Sequence, residues 1–227
     1  MLETLSPAQQ AAFARYADEL LAWNEHTNLT AIRSREDVYR KHFEDSLTCV
    51  QAWGNAPPQH LIDIGAGAGF PGLPLKLLYP TLQLTLVEAI AKKAAFCQHI
   101  VSLLGLSNVT ILSERAESIG QETEHRERYD WAVARAVAAL PVLAEYLLPL
   151  VQPGGKMLAQ KGTRAQTQTE LDGAGAAFET LGGKLNTVLS VQVPGLEEER
   201  CLVIIDKVNR TPARYPRRPG LPAKKPL

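Results

Sequence analysis

The chain has 227 residues, of which 45% are hydrophobic and 21% charged, a balance typical of a globular protein with one α/β domain and a small appendage. Three widely spaced cysteines argue against a disulfide framework and a zinc site, and no apolar run is long enough to span a bilayer. The formal net charge is zero, yet residues 207–227 carry seven basic and no acidic side chains, so the neutral total conceals a basic C-terminal tail.

The first 55 residues are predicted to form an N-terminal helical extension. The motif SPAQ at residues 6–9 combines an N-cap, a first-turn proline and a capping-box glutamine, and apolar side chains continue at helical spacing to Trp23. Ser34 then caps a second helix, predicted over residues 34–53 and ended by the glycine that follows.

Residues 60–88 carry the pattern strand, glycine turn, helix, strand and acid. An apolar run at residues 61–64 enters the turn GAGAG at residues 65–69, a helix is predicted to Tyr79, and a second strand ends on Glu88. Such a βαβ unit lets a ligand lie against bare backbone at the turn. A carboxylate at the end of the second strand can accept both hydroxyls of an adenosine ribose.

The glycine spacing by itself permits two kinds of cofactor. Gly67, Gly69 and Gly72 fit the dinucleotide pattern G-x-G-x-x-G, whereas residues 65–69 form the tighter G-x-G-x-G. A pyrophosphate needs free N–H groups at the start of the helix, and two prolines in that turn remove donors. S-adenosylmethionine carries no phosphate and tolerates the prolines, so the turn favours it over a nicotinamide dinucleotide.

Strands and helices continue to alternate after the first unit. Strands are predicted over residues 108–112, 129–134, 156–160, 185–193 and 200–208, and helices over residues 92–104, 137–150 and 163–181. The last two strands can pair as a hairpin, and the charge-dense segment 114–128 is predicted to be solvated loop. This alternation predicts a parallel twisted sheet covered on both faces, with ligands bound beyond the carboxyl ends of the strands.

The motifs that complete the pattern are DSL at residues 45–47, GFPG at 69–72, ARA at 134–136, KG at 161–162 and YPRR at 215–218. Together they resemble the bacterial small-subunit ribosomal RNA guanine-N7 methyltransferases, also called the glucose-inhibited division protein B family. The glycine turn is shared by many methyltransferases, whereas the DSL, GFPG and YPRR motifs together are specific to this family. The resemblance covers nearly the whole chain.

The resemblance implies a class I S-adenosylmethionine-dependent methyltransferase fold, Rossmann-like with a seven-stranded sheet, and methyl transfer to N7 of one guanine in 16S rRNA. The N7 lone pair carries no proton, so we nominate no catalytic acid or base and expect catalysis by positioning. The family's cofactor positions fall on Gly65, Phe70, Ala116, Glu117 and Arg135. We add Gly67 and Gly69 from the turn and Glu88 from its place at a strand end.

Two basic residues at strand ends are candidates for substrate contact. Arg135 is expected either to reach the guanine or to pair with a neighbouring carboxylate. Lys161 is expected either to meet RNA phosphate or to be an ordinary exposed lysine. His42 and Asp45 lie three residues apart and are expected to share a helix face, where such a pair more often ties a helix down than catalyses.

Four arginines complete the predicted RNA surface, with Tyr215 among them for base stacking. They are Arg33, Arg214, Arg217 and Arg218. Removal of residues 211–227 is expected to weaken RNA binding and to leave cofactor affinity nearly unchanged. The domains are then a helical extension (1–55), a methyltransferase domain (56–208) and a basic tail (209–227).

The expected partner is 16S rRNA or the small ribosomal subunit, and the protein is expected to be a cytoplasmic monomer without membrane or metal. Three other functions stay open on the sequence. They are a methyltransferase of a small molecule or protein, a nicotinamide-dependent oxidoreductase, and a non-catalytic RNA-binding assembly factor.

Overall fold

The computed structural model describes residues 2–227, apart from the Glu3 side chain, and its centre is a seven-stranded sheet. In chain order the strands are β1 (His60–Ile64), β2 (Gln83–Val87), β3 (Val109–Leu112), β4 (Tyr129–Arg135), β5 (Val151–Lys161), β6 (Gly183–Val191) and β7 (Arg200–Lys207). Their spatial order is β3-β2-β1-β4-β5-β7-β6, with β7 antiparallel to both neighbours and the other pairings parallel. The predicted seven strands and the terminal hairpin are therefore confirmed.

Helices cover both faces of this sheet. They are α1 (Pro7–Thr27), α2 (Arg35–Val38), a π-helical turn (Tyr39–Glu44), α3 (Asp45–Leu47), α4 (Val50–Trp53), α5 (Gly72–Leu78), α6 (Ala91–Leu103), α7 (Ala116–Ile119), α8 (Leu140–Leu147), α9 (Arg164–Asp172), α10 (Gly175–Thr180) and α11 (Leu221–Lys224). A short 3-10 turn (Leu2–Thr4) precedes α1. The capping box predicted at Ser6 is present.

The two faces of the sheet carry separate apolar cores because successive strand residues point to opposite sides. Leu61 of β1 and Val133 of β4 belong to the core formed with α1, α5 and α6. Ile62 and Ala132, one position away, belong to the core formed with α8 and α10. Since both faces are buried, the central strands are apolar along most of their length, as expected for parallel strands.

The helix predicted over residues 34–53 is present from Arg35 to Trp53, with right-handed helical backbone angles at its internal junctions, but its hydrogen bonding is irregular and polar side chains also bond to its carbonyls. Ser46 Oγ donates to His42 O, and Thr48 Oγ1 donates to Asp45 O at 2.6 Å. Such back-bonding competes with the helical N–H groups. The segment therefore comprises α2, the π turn, α3 and α4. The helix predicted over residues 163–181 is interrupted between α9 and α10.

The prediction that the charge-dense segment 114–128 forms a solvated loop is wrong. It contains α7 and the partly buried Arg126, whose guanidinium donates to four backbone carbonyls. One is Gly120 O at 2.8 Å, and the others belong to the segment that follows β7, including Tyr215 O at 2.7 Å. Arg126 therefore fixes the C-terminal segment against α7.

The basic C-terminal segment is part of the fold and does not form a free RNA-binding arm. Tyr215 is 7% exposed within the second core, so its ring is not available to stack on a base. Arg217 donates from Nε and Nη2 to the fully buried Glu145, at 2.9 and 2.6 Å, so it serves as the counter-ion of a core carboxylate. Arg214 and Arg218 are exposed. Removal of residues 211–227 would therefore also take away contacts of the fold, and the expectation that it leaves cofactor affinity nearly unchanged is revised for that reason.

Replacing Arg217 by Ala should lower the free energy of unfolding by about 3–5 kcal/mol, because an unpaired carboxylate would remain in the core. The double variant Glu145→Met/Arg217→Met should recover most of that loss. Arg218→Ala, at the exposed neighbour, should change stability by less than about 0.5 kcal/mol. Urea unfolding followed by circular dichroism measures all three, and equal stability of the Arg217 and Arg218 variants would contradict the role assigned to this pair.

Candidate functional site

Two cavities meet at the carboxyl ends of the central strands. The larger, about 510 Å³, lies between the glycine turn, Arg135 and the end of β5. The smaller, about 120 Å³, contains Glu88, Ala116 and Glu117, and both cavities include Gly65. In a sheet of this strand order the crevice beside β1 and β4 is where ligands bind. A separate groove of about 580 Å³ near the N-terminal turn lies away from the strand ends.

The glycine turn after β1 needs glycine for two different reasons. Gly69 has φ +96°, and a Cβ there would come within 2.6 Å of the Tyr16 hydroxyl oxygen. Gly67 has φ +60°, but a Cβ there would meet only Gly65 O, at 4.0 Å. Packing therefore fills the space around Gly69, whereas the space beside Gly67 is open to the larger cavity.

The carboxylate of Glu88 spans the turn from the end of β2. Its Oε2 accepts from Gly67 N and its Oε1 from Ile90 N, both at 2.8 Å, and the residue is only 7% exposed. Each oxygen therefore keeps a lone pair for a further donor. Glu117, across the smaller cavity, accepts from Gly220 N at 2.8 Å, so the C-terminal segment fixes this second carboxylate.

Asp63, the last polar residue of β1, binds the backbone of the glycine turn from the buried side. Its Oδ2 accepts from Gly72 N at 2.8 Å, and the residue is fully buried. Burial raises the pKa of Asp63 from 3.8 to about 7, although the Gly72 N–H and Arg135 oppose that shift. The carboxyl of Asp63 therefore becomes protonated far more readily than an exposed aspartate.

Arg135 is the centre of a buried network at the end of β4. Its Nη1 lies 2.6 Å from Asp45 Oδ2, its Nη2 lies 3.2 Å from His42 Nδ1, and its guanidinium lies 5.1 Å from the Phe70 ring centre. The His42 ring also stacks on Phe70, with centroids 4.4 Å apart. Of the two expectations for Arg135, the structure shows the ion pair with a carboxylate.

This network sets the proton on His42. A guanidinium only donates, so Nδ1 accepts and Nε2 carries the hydrogen, which it donates to Thr30 Oγ1 at 2.9 Å. Burial, and next the charge of Arg135, lower the pKa of His42 from 6.5 to about 3. The imidazole is therefore neutral at physiological pH.

Lys161 is neither an exposed lysine nor free to bind phosphate. Its Nζ lies 2.7 Å from Glu170 Oε2, it donates to Ala138 O at 3.1 Å, and its side chain is 13% exposed. The ammonium thus ties β5 to α9 and to the segment before α8. This pairing joins residues distant in sequence, so strand-end position alone did not reveal it.

Most of the predicted site residues come together. Gly65, Gly67, Phe70, Glu88, Ala116, Glu117, Arg135 and Lys161 line the two cavities, and Gly69 lies within the turn. Of the predicted RNA-contact residues other than Lys161, all lie outside both cavities: Arg33, Arg214, Arg217 and Arg218. The sequence reasoning missed Thr30, Gln160 and Arg200 at the larger cavity. Gln160, beside Lys161 at a strand end, and Thr30, in the motif NLT that also resembles the family, carried signals that could have found them.

Residues 9–200 match the family model described as GidB, rRNA small subunit methyltransferase G. The chain belongs to the GidB family. It is 51% identical to ribosomal RNA small subunit methyltransferase G of Roseiflexus castenholzii over 98% of this chain and 94% of that protein. It is 46% identical to the protein of the same name from Lactobacillus delbrueckii subsp. bulgaricus, over 98% of this chain and 93% of the relative.

Solved structures of proteins outside this family share the fold of the chain. TYW2 of M. jannaschii in complex with AdoMet superimposes with a TM-score of 0.55 at 13% identity, over 72% of this chain and 77% of that one. A mutant of the 16S rRNA (adenine(1408)-N(1))-methyltransferase of Catenulisporales acidiphilia gives 0.55 at 14% identity, over 73% and 92%. These likenesses concern the fold alone. Together with the GidB family match they confirm the class I, Rossmann-like methyltransferase fold predicted from the sequence.

Two features are absent from residues 2–227 of the GidB chain. No helix there is both long enough and apolar enough to cross a membrane. Within the same range, no group of three or more His, Cys, Asp or Glu side chains is arranged to hold a metal ion.

The neutral state of His42 should make the folded protein sensitive to acid. Between pH 6.5 and about 3 the unfolded chain binds a proton that the folded chain does not, so stability should fall as pH falls. The His42 contribution to that slope should approach about 1.4 kcal/mol per pH unit. Asp63 acts in the opposite direction, because its raised pKa makes stability fall as pH rises from 3.8 to about 7.

The His42 contribution is isolated by comparing urea unfolding of wild type and His42→Gln across this range. Gln keeps an acceptor for Arg135 but does not titrate, so its stability should decline less in acid. The same substitution at the exposed His26 is the control. Identical pH slopes for wild type and His42→Gln would show that His42 is not held neutral in the fold.

Proposed function

We propose that this protein transfers the methyl group of S-adenosylmethionine to N7 of a specific guanine in 16S ribosomal RNA. The observation that carries the proposal is the open glycine turn facing a fixed carboxylate, Gly67 and Glu88, in a chain of the GidB family. The names of the relatives support a small-subunit rRNA substrate. The choice of N7 rests on the resemblance to the guanine-N7 methyltransferases that the motifs DSL, GFPG and YPRR carry.

The residues around the turn fit S-adenosylmethionine. The space beside Gly67 is open, and a Cβ at this position would project into it. Glu88 offers one free lone pair on each oxygen to the ribose hydroxyls. We assign the turn, Glu88, the walls of the smaller cavity and Arg135 to cofactor binding. In full the set is Gly65, Gly67, Gly69, Phe70, Glu88, Ala116, Glu117 and Arg135.

The protein's part in catalysis is then to hold the cofactor and the target guanine and to orient them for methyl transfer. When bound, S-adenosylmethionine would supply a methyl group activated by its sulfonium. The N7 lone pair would form the new N–C bond as the S–C bond breaks, so the neutral thioether S-adenosylhomocysteine would leave, the positive charge would pass to the purine and no proton would be removed. Alignment of this kind contributes about 7–11 kcal/mol to catalysis. His42 and Asp45 are committed to Arg135, which agrees with a reaction that requires no general base. Because Asp45 balances the charge of Arg135, a cationic cofactor is tolerated beside it.

Gly67→Ala should weaken S-adenosylmethionine binding about tenfold or more, because the alanine methyl group would occupy space that the bound cofactor needs. The matched control is Gly105→Ala, since Gly105 has φ +61° and open space, but lies at the end of α6. Both changes should cost about 1–2 kcal/mol of stability through backbone strain. Calorimetric titration and thermal unfolding separate the two effects. Equal cofactor affinity in both variants would contradict a cofactor seated on this turn.

Methyl transfer is tested directly with labelled S-adenosylmethionine and 30S particles from a strain that lacks the enzyme. The expected result is label in 16S rRNA, recovered after digestion as 7-methylguanosine. Unlabelled rRNA would contradict the proposal. Label in a protein or small-molecule fraction without RNA would instead favour a methyltransferase of another substrate.

A further inference from the structure

Gln160 carries a buried amide oxygen that lacks a hydrogen bond. The residue is 4% exposed, and among the described residues no donor reaches its Oε1. Its Nε2 donates to Asp45 O and to Thr48 Oγ1, the latter at 3.1 Å. A backbone carbonyl only accepts, so the orientation of the amide is fixed and Oε1 is the atom left over. Since buried acceptors are almost always paired, this oxygen calls for a donor from outside the chain.

Its position in the sheet indicates which ligand brings the donor. Glu88 follows β2, the glycine turn follows β1, and Arg135 ends β4, so the proposed cofactor spans three adjacent strand ends. Gln160 is the cross-strand partner of Arg135 on β5, the next strand along. It lines the same cavity as the glycine turn. The group that receives the methyl therefore belongs at the end of β5.

The surroundings of Gln160 are rich in acceptors and have a movable cover. The Asp45 Oδ1 atom is also buried without a hydrogen bond inside the described part of the chain. Arg200 Nε lies 3.6 Å from that oxygen, and the Arg200 side chain is 25% exposed. The hydrogen bonds of Arg200 go to its neighbours Glu198 and Glu199 at the rim. An incoming RNA phosphate can draw this guanidinium outwards at the cost of its 3.6 Å contact with Asp45, whose other oxygen stays paired with Arg135.

We propose that Gln160 Oε1 accepts a hydrogen bond from the Watson–Crick edge of the target guanine and so selects guanine over adenine. The proposal rests on the proposed function. Guanine presents two donors on that edge, N1–H and the N2 amino group. Adenine presents an acceptor at N1, no N2 amino group, and its one donor, the N6 amino group, at the position of guanine O6, so an acceptor placed against positions 1 and 2 finds a donor only in guanine. N7 lies on the far side of the purine, so holding this edge at β5 leaves N7 facing the glycine turn.

The test replaces the mapped target guanosine in a 16S transcript by inosine, which lacks the N2 amino group, or by 2-aminopurine, which lacks N1–H. We measure kcat/KM for the three RNAs, reconstituted into 30S particles, with wild-type protein and with Gln160→Met. Wild type should prefer guanosine over at least one analogue by about 10- to 100-fold, the usual effect of leaving a buried acceptor unpaired. Gln160→Met should lower activity on guanosine and bring that ratio close to one.

Gln166→Met is the matched control, because Gln166 lines the same cavity but is exposed. Gln166→Met should keep the wild-type ratios of kcat/KM. In Gln160→Met, a general structural defect would lower kcat/KM for all three RNAs by the same factor and leave the ratios unchanged. Unchanged ratios in Gln160→Met overturn the proposal. If that variant does not fold, equal rates of wild type on the three RNAs overturn it instead. If wild-type protein forms no 7-methylguanosine in the RNA that carries guanosine, the proposed function itself fails. That outcome differs from a failure of the Gln160 proposal, in which methylation occurs but the ratios do not change.

Discussion

The ion pair between Arg135 and Asp45 joins the N-terminal extension to the sheet at the point where the site is built. Both partners are largely buried, so loss of either would leave a charge in the interior, which is far more costly than loss of a surface pair. The same guanidinium fixes His42, and the His42 ring lies against Phe70 at the end of the glycine turn. Tyr16 of α1 reinforces this junction, since its hydroxyl donates to Ala68 O and its ring stacks on Phe70 with centroids 5.5 Å apart. The extension is therefore a wall of the site.

The opposite side of the site depends on the C-terminal segment in a comparable way. Glu117 is held by Gly220 N, Arg126 grips the backbone between the sheet and Tyr215, and Arg217 neutralises Glu145 in the core. Basic residues that would suit RNA when viewed as a charge pattern serve here as internal partners for carbonyls and carboxylates. Arg214 and Arg218, which are exposed, keep the predicted role in RNA contact as a proposal.

Local pattern was sufficient to predict the seven strands, the glycine turn and the position of Glu88 at a strand end, because alternation and glycine spacing are properties of short segments. It failed where the outcome depends on partners distant in sequence. The π turn carries hydrogen bonds from Ser46 and Arg135 to the His42 carbonyl, and the Arg135 bond forms only when β4 lies beside it. The pairing of Lys161 with Glu170 also requires β5 and α9 to have packed. A charge run such as residues 114–128 likewise looks solvated until the segment that Arg126 binds is in place. Long-range polar pairing is therefore the part of this site that composition and periodicity could not supply.

The hydrogen bond from Gly220 to Glu117 has a consequence for the time course of synthesis. The central βαβ unit emerges from the ribosome early and its strands can begin to pair. Glu117, across the smaller cavity from Glu88, gains its hydrogen bond from Gly220 N only after residue 220 has been translated. Domains generally fold as units while the chain elongates, N-terminal parts first. A nascent chain of this protein therefore lacks this constraint on Glu117 until residue 220 has been translated.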